Sequence, residues 1–520
     1  MVERKADRLL GHVDWDSSVS SSERVMLRAP EERRPQILRN QFVRIEDPST
    51  GPIPFLGRLL TGPFFPPVRR DRGGDSSIAG TILAEIEVQG ELVEGRPRDT
   101  SNRPAPGSAV YELSADDVCD LLGFAGDMLL GNLSGRDDLA VRLGSQNKDV
   151  LPRNLGIFGT VGSGKSNTAQ VLIEEAATHG WAVILLDVEG EYVEMDQASS
   201  EQKLFGRMAH FGRSPAGLPD FHVLYPASCA SDRADSEAFT LRLADFETGV
   251  IAEILQASLP ERNALLECVD HFEQRARFKV VTNEKESLLG LLDPSPQAKL
   301  PFTVRHLRER ANERSSRSTE FVDYQGLSTK LLWLIHSGAF DQANLSGLDP
   351  AAMLQPGRVT VIDVSVANDI VKNLATADLL RKVFAHKVLR PEAPPTLLIV
   401  EEAHSFISRE KVNTMQATLH MLRNVTRRGR KRWLSVAFVS QQPGHLPPEI
   451  FELCNTRVVH TLRSTHNLDA LVATTGDVTR ELWARCPLLG TGEAILSSPQ
   501  LRRPVILTVR PATSRRKFVR

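Results

Sequence analysis

Residues Gly159-Thr160-Val161-Gly162-Ser163-Gly164-Lys165-Ser166 constrain the fold of this chain more than any other stretch. A G-x-x-x-x-G-K-[ST] run turns backbone N–H groups inward around phosphate, and it works only where a strand passes into a helix. Both flanks meet that demand. Leu155-Gly156-Ile157-Phe158 before it is a short apolar run of the buried-strand kind, and Ala169, Leu172, Ile173 and Ala176 after it recur at helical spacing. A chance glycine-rich turn would have no reason to arrive in this order. The implied ligand is a nucleoside triphosphate, ATP, with Mg²⁺. Gly159, Gly162, Ser163, Gly164 and Asn167 belong to the phosphate-wrapping set, Lys165 reaches the β- and γ-phosphates, and the Ser166 hydroxyl ligates the metal.

At 520 residues the chain exceeds one ordinary core, so about two to four domains are expected. A composition of 41% hydrophobic and 25% charged residues is that of a soluble globular protein. With a net charge of only −2, any basic surface for nucleic acid must be local, such as the lining of a channel. The five cysteines lie far apart without C-x-x-C spacing, which reads as reduced thiols in the cytoplasm. No apolar run approaches the roughly 18 to 20 residues that cross a bilayer, and the start lacks a signal-peptide core. A cytoplasmic location with no membrane contact is the expectation.

Residues 1 to 130 read as a small β-barrel domain. Gln41 to Glu46, Phe55 to Leu60, Thr81 to Val88 and Ser108 to Leu113 are short, partly alternating segments punctuated by turn residues, and 64 to 78 and 95 to 107 read as loops. From about 150 apolar strands alternate with helical stretches: Leu155 to Phe158, Ala182 to Leu186, Val359 to Val364, Leu397 to Val400, Leu434 to Val439 and Arg457 to Thr461. That alternation predicts an α/β fold over 131 to 510, a parallel sheet covered by helices on both faces. A helical insertion is expected at about 240 to 345, with helices at Thr248 to Phe272 and Tyr324 to His336, a stop at Gly338 and a polar loop at Asn312 to Thr319. The basic tail 511 to 520 is expected to be solvated and disordered rather than a dedicated phosphate contact.

Leu397-Leu398-Ile399-Val400-Glu401-Glu402-Ala403-His404 is an apolar strand ending in two carboxylates. Hydrolytic phosphate-loop enzymes use such a pair beside the loop, which assigns Glu401 to the metal shell and Glu402 to the attacking water. The segment Val412 to Arg428 predicts a helix with Met415, Leu419, Leu422 and Val425 as its buried stripe. Arg427, Arg428, Arg430, Lys431 and Arg432 crowd its end. Cations there can be simple dipole partners, but they lead directly into the strand Leu434 to Val439. That strand closes with Ser440-Gln441-Gln442-Pro443 at the sheet edge where ligands of such folds sit. Gln441 would sense the γ-phosphate. The acidic cluster Asp187 to Tyr192 is by itself a weak signal.

Taken in order, the run Leu143 to Ser145, Gly156 to Thr168, Asp187 to Tyr192, Glu401 to His404, Arg428 to Lys431, Ser440 to Pro443 and Cys454 to Arg457 resembles the HerA branch of the HerA/FtsK superfamily. The resemblance implies a RecA-like P-loop ATPase core behind a small β-barrel, assembled as a homo-hexamer that threads double-stranded DNA through a central pore. It implies a partner, a nuclease of the NurA type or another effector, in DNA end processing or antiviral defence; the barrel, outside the ATPase core and with exposed loops, is the expected dock. It also implies an arginine reaching the neighbouring subunit's γ-phosphate, carried over to Arg430 first, then Arg428 and Arg427. Two other classes share the core: a conjugation or secretion ATPase, and a nucleotide-gated ring that organises an effector enzyme.

Overall fold

The computed structural model describes residues 8–14, 24–39, 41–49, 51, 53–65, 80–94, 96–98, 100, 102–231, 233–282, 302–317, 323–406, 416–447 and 452–517. Seven strands form the first unit: β1 (Leu9–Val13), β2 (Arg24–Pro30), β3 (Phe42–Glu46), β4 (Phe55–Leu59), β5 (Thr81–Val93), β6 (Arg96–Arg98) and β7 (Ala109–Glu112). Their order is β2-β1-β7-β3-β4-β5-β6, and β2 also pairs with β5, so six antiparallel strands close into a barrel with β6 as an extra flap. Period-2 patterning drives the closure: Ile82, Ala84 and Ile86 turn inward to meet Leu27, Val43 and Phe55. Strand β6 lies where a loop was expected; it continues the long β5 hairpin as an edge of Arg and Pro, residues of weak strand propensity. Most of the other expected loop, 66 to 78, falls outside the described residues.

Twelve strands form the second sheet, in the order β13-β12-β14-β11-β15-β16-β10-β17-β18-β19-β8-β9. The strands from β13 to β17 in that order are parallel: β13 (Glu237–Phe239), β12 (Phe221–Pro226), β14 (Val359–Asp363), β11 (Ala182–Asp187), β15 (Thr396–Val400), β16 (Leu434–Ser440), β10 (Leu155–Phe158) and β17 (Thr456–Val459). Strands β18 (Glu493–Ser497), β19 (Val505–Val509), β8 (Met128–Leu133) and β9 (Arg136–Leu143) then hem the sheet in antiparallel fashion. In β11 and β15 every residue is buried. Val183, Leu185, Leu397 and Ile399 enter one core, while Ile184, Leu186, Leu398 and Val400 enter the other. Two covered faces are what a continuous apolar strand demands.

Helices Thr248–Ile254, Leu259–Thr282, Val304–Ser315 and Tyr324–His336 pack on one of these cores through Ala264, Leu265, Leu307, Leu327 and Leu331. Two details differ from the sequence reading. The expected helix from Thr248 breaks after Ile254, where Gln256 adopts φ 46°. The expected polar loop from Asn312 is the last turn of a helix that runs to Ser315, because Thr303 and His306 cap its start and Asn312 accepts from Ser328 Oγ at 2.6 Å. Helix Gln416–Arg428 buries Leu419, Leu422 and Val425 as expected; Met415 lies outside the described residues.

Residues 511–517 depart most from expectation. Rather than a solvated tail, they form a strap across the helix Lys165–Thr178, with Ser514 paired to Ala198 and Lys517 N–H donating to Glu191 O at 2.9 Å. The cause is Arg510, fully enclosed between Glu174 (2.9 Å) and Glu175 (2.9 Å). Burying a guanidinium demands such paired acceptors, and they tether the chain that follows. Among the described residues no helix is long and apolar enough to cross a membrane.

Candidate nucleotide site

The loop Gly159–Gly164 joins β10 to the helix Lys165–Thr178 at the C-terminal edge of the sheet. Gly162 (φ 73°) and Gly164 (φ 116°) take left-handed backbone that side chains resist. A Cβ on Gly164 would also press on Gly492 Cα at 3.1 Å. The loop is braced from outside: Thr160 N–H donates to Thr461 O (2.9 Å) and Gly492 N–H to Ser163 O (2.9 Å). Within it, Ser163 Oγ and Lys165 Nζ both donate to Thr160 O, at 2.7 and 3.0 Å. Burial lowers the Lys165 pKa, opposed by the negative charges of Glu402, Glu401 and Glu191. Ser166 is half-buried on the first turn, and Asn167 is held by the strap, donating to Arg510 O at 2.8 Å and accepting from Ala512 N–H at 2.9 Å.

Beneath the loop lies a residue that the motif did not reveal. His460, just past β17, is fully buried; Nε2 meets Thr168 Oγ1 at 2.8 Å and Nδ1 meets Glu493 O at 2.9 Å. The carbonyl can only accept, so Nδ1 carries the proton and Nε2 accepts from the threonine. Burial pushes its pKa down to about 4. Its signal in the sequence is a single His after an apolar strand, which is indistinguishable from a core histidine.

At the tip of β15, Glu402 has φ 42°, a strained conformation for a non-glycine residue. Gln441, at the end of β16, donates to it through Nε2 (2.5 Å) and through its backbone N–H (3.3 Å). His404 Nδ1 lies 3.0 Å from Oε2, the oxygen that also accepts the Gln441 backbone N–H. Against the upward push of burial, His404 and Gln441, with Lys165 further away, hold the Glu402 pKa below the usual range. The structure thus brings together Glu402, Gln441 and Lys165, and adds His404.

Glu401 points into the sheet edge. Burial and the Asp187 carboxylate raise its pKa well above the usual range, and its Oε2 is enclosed with no hydrogen-bond partner among the described residues. Asp187 organises the following loop, accepting N–H bonds from Gly190 (2.7 Å) and Tyr192 (2.9 Å). An orphaned carboxylate oxygen amid further acids fits a divalent cation. Glu401 and Ser166 are the residues that would hold Mg²⁺. Among the described residues no three His, Cys, Asp or Glu side chains are grouped to hold a metal by themselves. Mg²⁺ ordinarily takes one or two carboxylates and completes its shell with phosphate and water.

The arginines stand elsewhere. Gly429–Arg432 is a tight turn at the opposite edge of the sheet, where β16 begins. Arg430 pairs with Asp149 at 3.2 Å, Arg432 stacks on Phe384 at 5.3 Å, and Arg427, Arg428 and Lys431 are exposed. The strand Leu434–Ser440 alone separates this turn from the phosphate loop by about 20 Å.

With this geometry in place, likeness to known proteins can be weighed. Residues 128–383 match the family model described as Helicase HerA, central domain. Over that span the chain is similar to the HerA-type P-loop ATPases. It is 25% identical over 463 residues to a probable DNA double-strand break repair helicase HerA of Methanocaldococcus jannaschii, covering 82% of this chain and 85% of that one. The DNA double-strand break repair helicase HerA of Sulfolobus acidocaldarius is 21% identical, covering 82% and 78%. Among solved structures, VirB4 of Thermoanaerobacter pseudethanolicus superposes with a TM-score of 0.50 at 18% identity, over 74% of this chain and 96% of that one. At that identity the likeness concerns the fold alone. The α/β core is thus of the kind expected from the motifs.

Proposed function

We propose that this protein is a HerA-type, ATP-driven double-stranded DNA translocase that works as a homo-hexameric ring. The observation that carries the reading is the separation of Arg430 from its own phosphate loop across the sheet. A guanidinium at that edge serves a γ-phosphate only when the site belongs to a neighbouring subunit, so hydrolysis requires a ring. Arg430, with Arg428 next, is the group so used. Lys165 and the loop N–H groups bind the phosphates. Glu402, kept ionised by His404 and Gln441, accepts a proton from the attacking water, and Gln441 links that acid to the γ-phosphate. Mg²⁺ held by Ser166 and Glu401 would neutralise charge on the β- and γ-phosphates.

The HerA names of the relatives and the absence of net positive charge favour DNA gripped inside a pore over DNA bound on an outer surface. Cutting the DNA belongs to a separate nuclease of the NurA type, or another effector, docked on the barrel. The test is the ATPase rate of the purified protein alone, with linear duplex and with single strands. Stimulation by linear duplex, with the DNA left intact, is expected. A rate that duplex leaves unmoved would favour a nucleotide-gated scaffold or a secretion-type ATPase and would overturn the translocase reading.

A further inference from the structure

The strap Arg510–Lys517 is bound through Arg510 to Ser514 to the helix that opens at the phosphate loop, and beyond that to the segment 191–198. Glu174 Oε1 accepts from Thr513 N–H, Ser514 N–H and Ser514 Oγ, at 2.8, 2.8 and 2.7 Å. Asn167, one residue after the metal-binding serine, is clasped on both sides by Arg510 and Ala512. Further on, Arg515 N–H donates to Gln197 O (2.8 Å) and Lys517 N–H to Glu191 O (2.9 Å). The backbone of Arg516 is therefore pinned from both neighbours. A cavity of about 30 Å³ lies between Asn167 and Gln170 on the helix and Arg515 and Arg516 on the strap.

The side chain of Arg516 meets Glu191 at 3.7 Å, and both groups are about a quarter exposed (28% and 27%). Such a long, half-exposed pair holds the guanidinium only weakly. Glu191 belongs to the loop at the tip of β11, its N–H donating to Asp187 Oδ1 at 3.3 Å, and β11 lies beside β15 with Glu401 and Glu402 at its end. The guanidinium is therefore set against the loop that borders the strand-end acids, on a backbone that is already ordered.

We propose that the strap is a built-in wall of the nucleotide site and that Arg516 contacts the polyphosphate of the bound nucleotide from within the same subunit. The proposal rests on the assignment of the Gly159–Ser166 loop to ATP. It adds a cis cation to the arginine supplied by a neighbour. Pre-ordering by Arg510, Glu174 and Asn167 means that little entropy is lost when the contact forms.

The test is equilibrium binding of fluorescent ATP and ADP analogues to the full chain carrying Arg516→Ala, Arg516→Lys or Arg515→Ala, with thermal unfolding of each in the absence of nucleotide. Arg516→Ala is expected to weaken both nucleotides ~10-fold, as loss of one charge-assisted hydrogen bond implies. Arg516→Lys should recover part of that loss. Arg515→Ala, which removes the Glu194 pair on the same strap, should bind as the unaltered protein does. Unfolding temperatures should be unchanged throughout. Binding by Arg516→Ala within twofold of the unaltered protein overturns the proposal, as does an equal loss from Arg515→Ala, which would make the strap a structural support only. Failure of the unaltered protein to bind either nucleotide would instead overturn the ATP assignment itself.

Discussion

Glu402 joins strain to chemistry. Its left-handed backbone costs roughly 1–3 kcal/mol, and the residue keeps it while Gln441 and His404 hold the carboxylate from two directions. If Glu402 is the base, as proposed, replacing it by Gln preserves size and backbone but removes that base, so Glu402→Gln should lower the hydrolysis rate by roughly 10² to 10⁴ with ATP affinity largely retained. Lys165→Ala should instead weaken ATP binding itself. Steady-state turnover beside nucleotide titration separates the two, and near-normal turnover in Glu402→Gln sinks the assignment. His460 gives a second expectation at this scale. The unfolded chain protonates this histidine below its ordinary pKa near 6.5, whereas the folded protein keeps it neutral down to about 4. Its contribution is thus complete above pH 6.5 and is lost as pH falls toward 4, on the order of 3 kcal/mol in all. Unfolding temperature should therefore fall more steeply between pH 6.5 and 4.5 in the unaltered protein than in His460→Gln. Parallel slopes would refute a buried neutral imidazole.

Among the elements, the turn Gly429–Arg432 has the most distinctive placement. It follows a helix whose apolar stripe, Leu419, Leu422 and Val425, is buried, and its glycine is required because a Cβ there would lie 2.4 Å from Leu434 O. The turn thereby projects Arg430 toward Asp149 at the edge farthest from its own loop. If Arg430 serves a neighbour, Arg430→Ala alone is inactive, by about 10³ to 10⁵. Mixing it with inactive Glu402→Gln subunits should restore part of the ATPase rate, because some interfaces then pair an intact Glu402 with an intact Arg430. No recovery in rings shown to be mixed would move the role to Arg428 or Arg427. The helix Lys165–Thr178 is an element of another kind: buried acids Glu174 and Glu175 lie on it because Arg510 meets them from the strap.

For the whole molecule, a net charge of −2 leaves little long-range attraction for DNA. A pore that grips backbone phosphates should bind duplexes of unrelated sequence about equally, with log affinity falling linearly and steeply against log salt concentration. Filter binding or anisotropy over a salt series measures the slope; salt-insensitive binding or strong base preference would contradict the pore. The barrel keeps its own interior, but it also packs against the ATPase sheet. Phe42 and Leu56 of the barrel join Val118, Phe124, Leu130 and Val141 in one apolar cluster, so any cut made to test the barrel as a dock must respect that shared surface.

Local chemistry was enough to read the phosphate loop, the six strands around it, the acids of β15 and Gln441, because phosphate binding and two-sided burial each demand particular residues within a few positions. The barrel's closure was not legible that way, since β1 and β2 join strands far along the chain and their partners decide their pairing. Strands β12, β13, β18 and β19 were missed for the same reason. The strap 511–517 reads as a charged tail until Arg510 finds Glu174 and Glu175 more than 300 residues away. His404, His460 and Arg516 gain meaning only from what packs beside them. Burial and distance decide those roles, and both arise from contacts between segments that are remote along the chain.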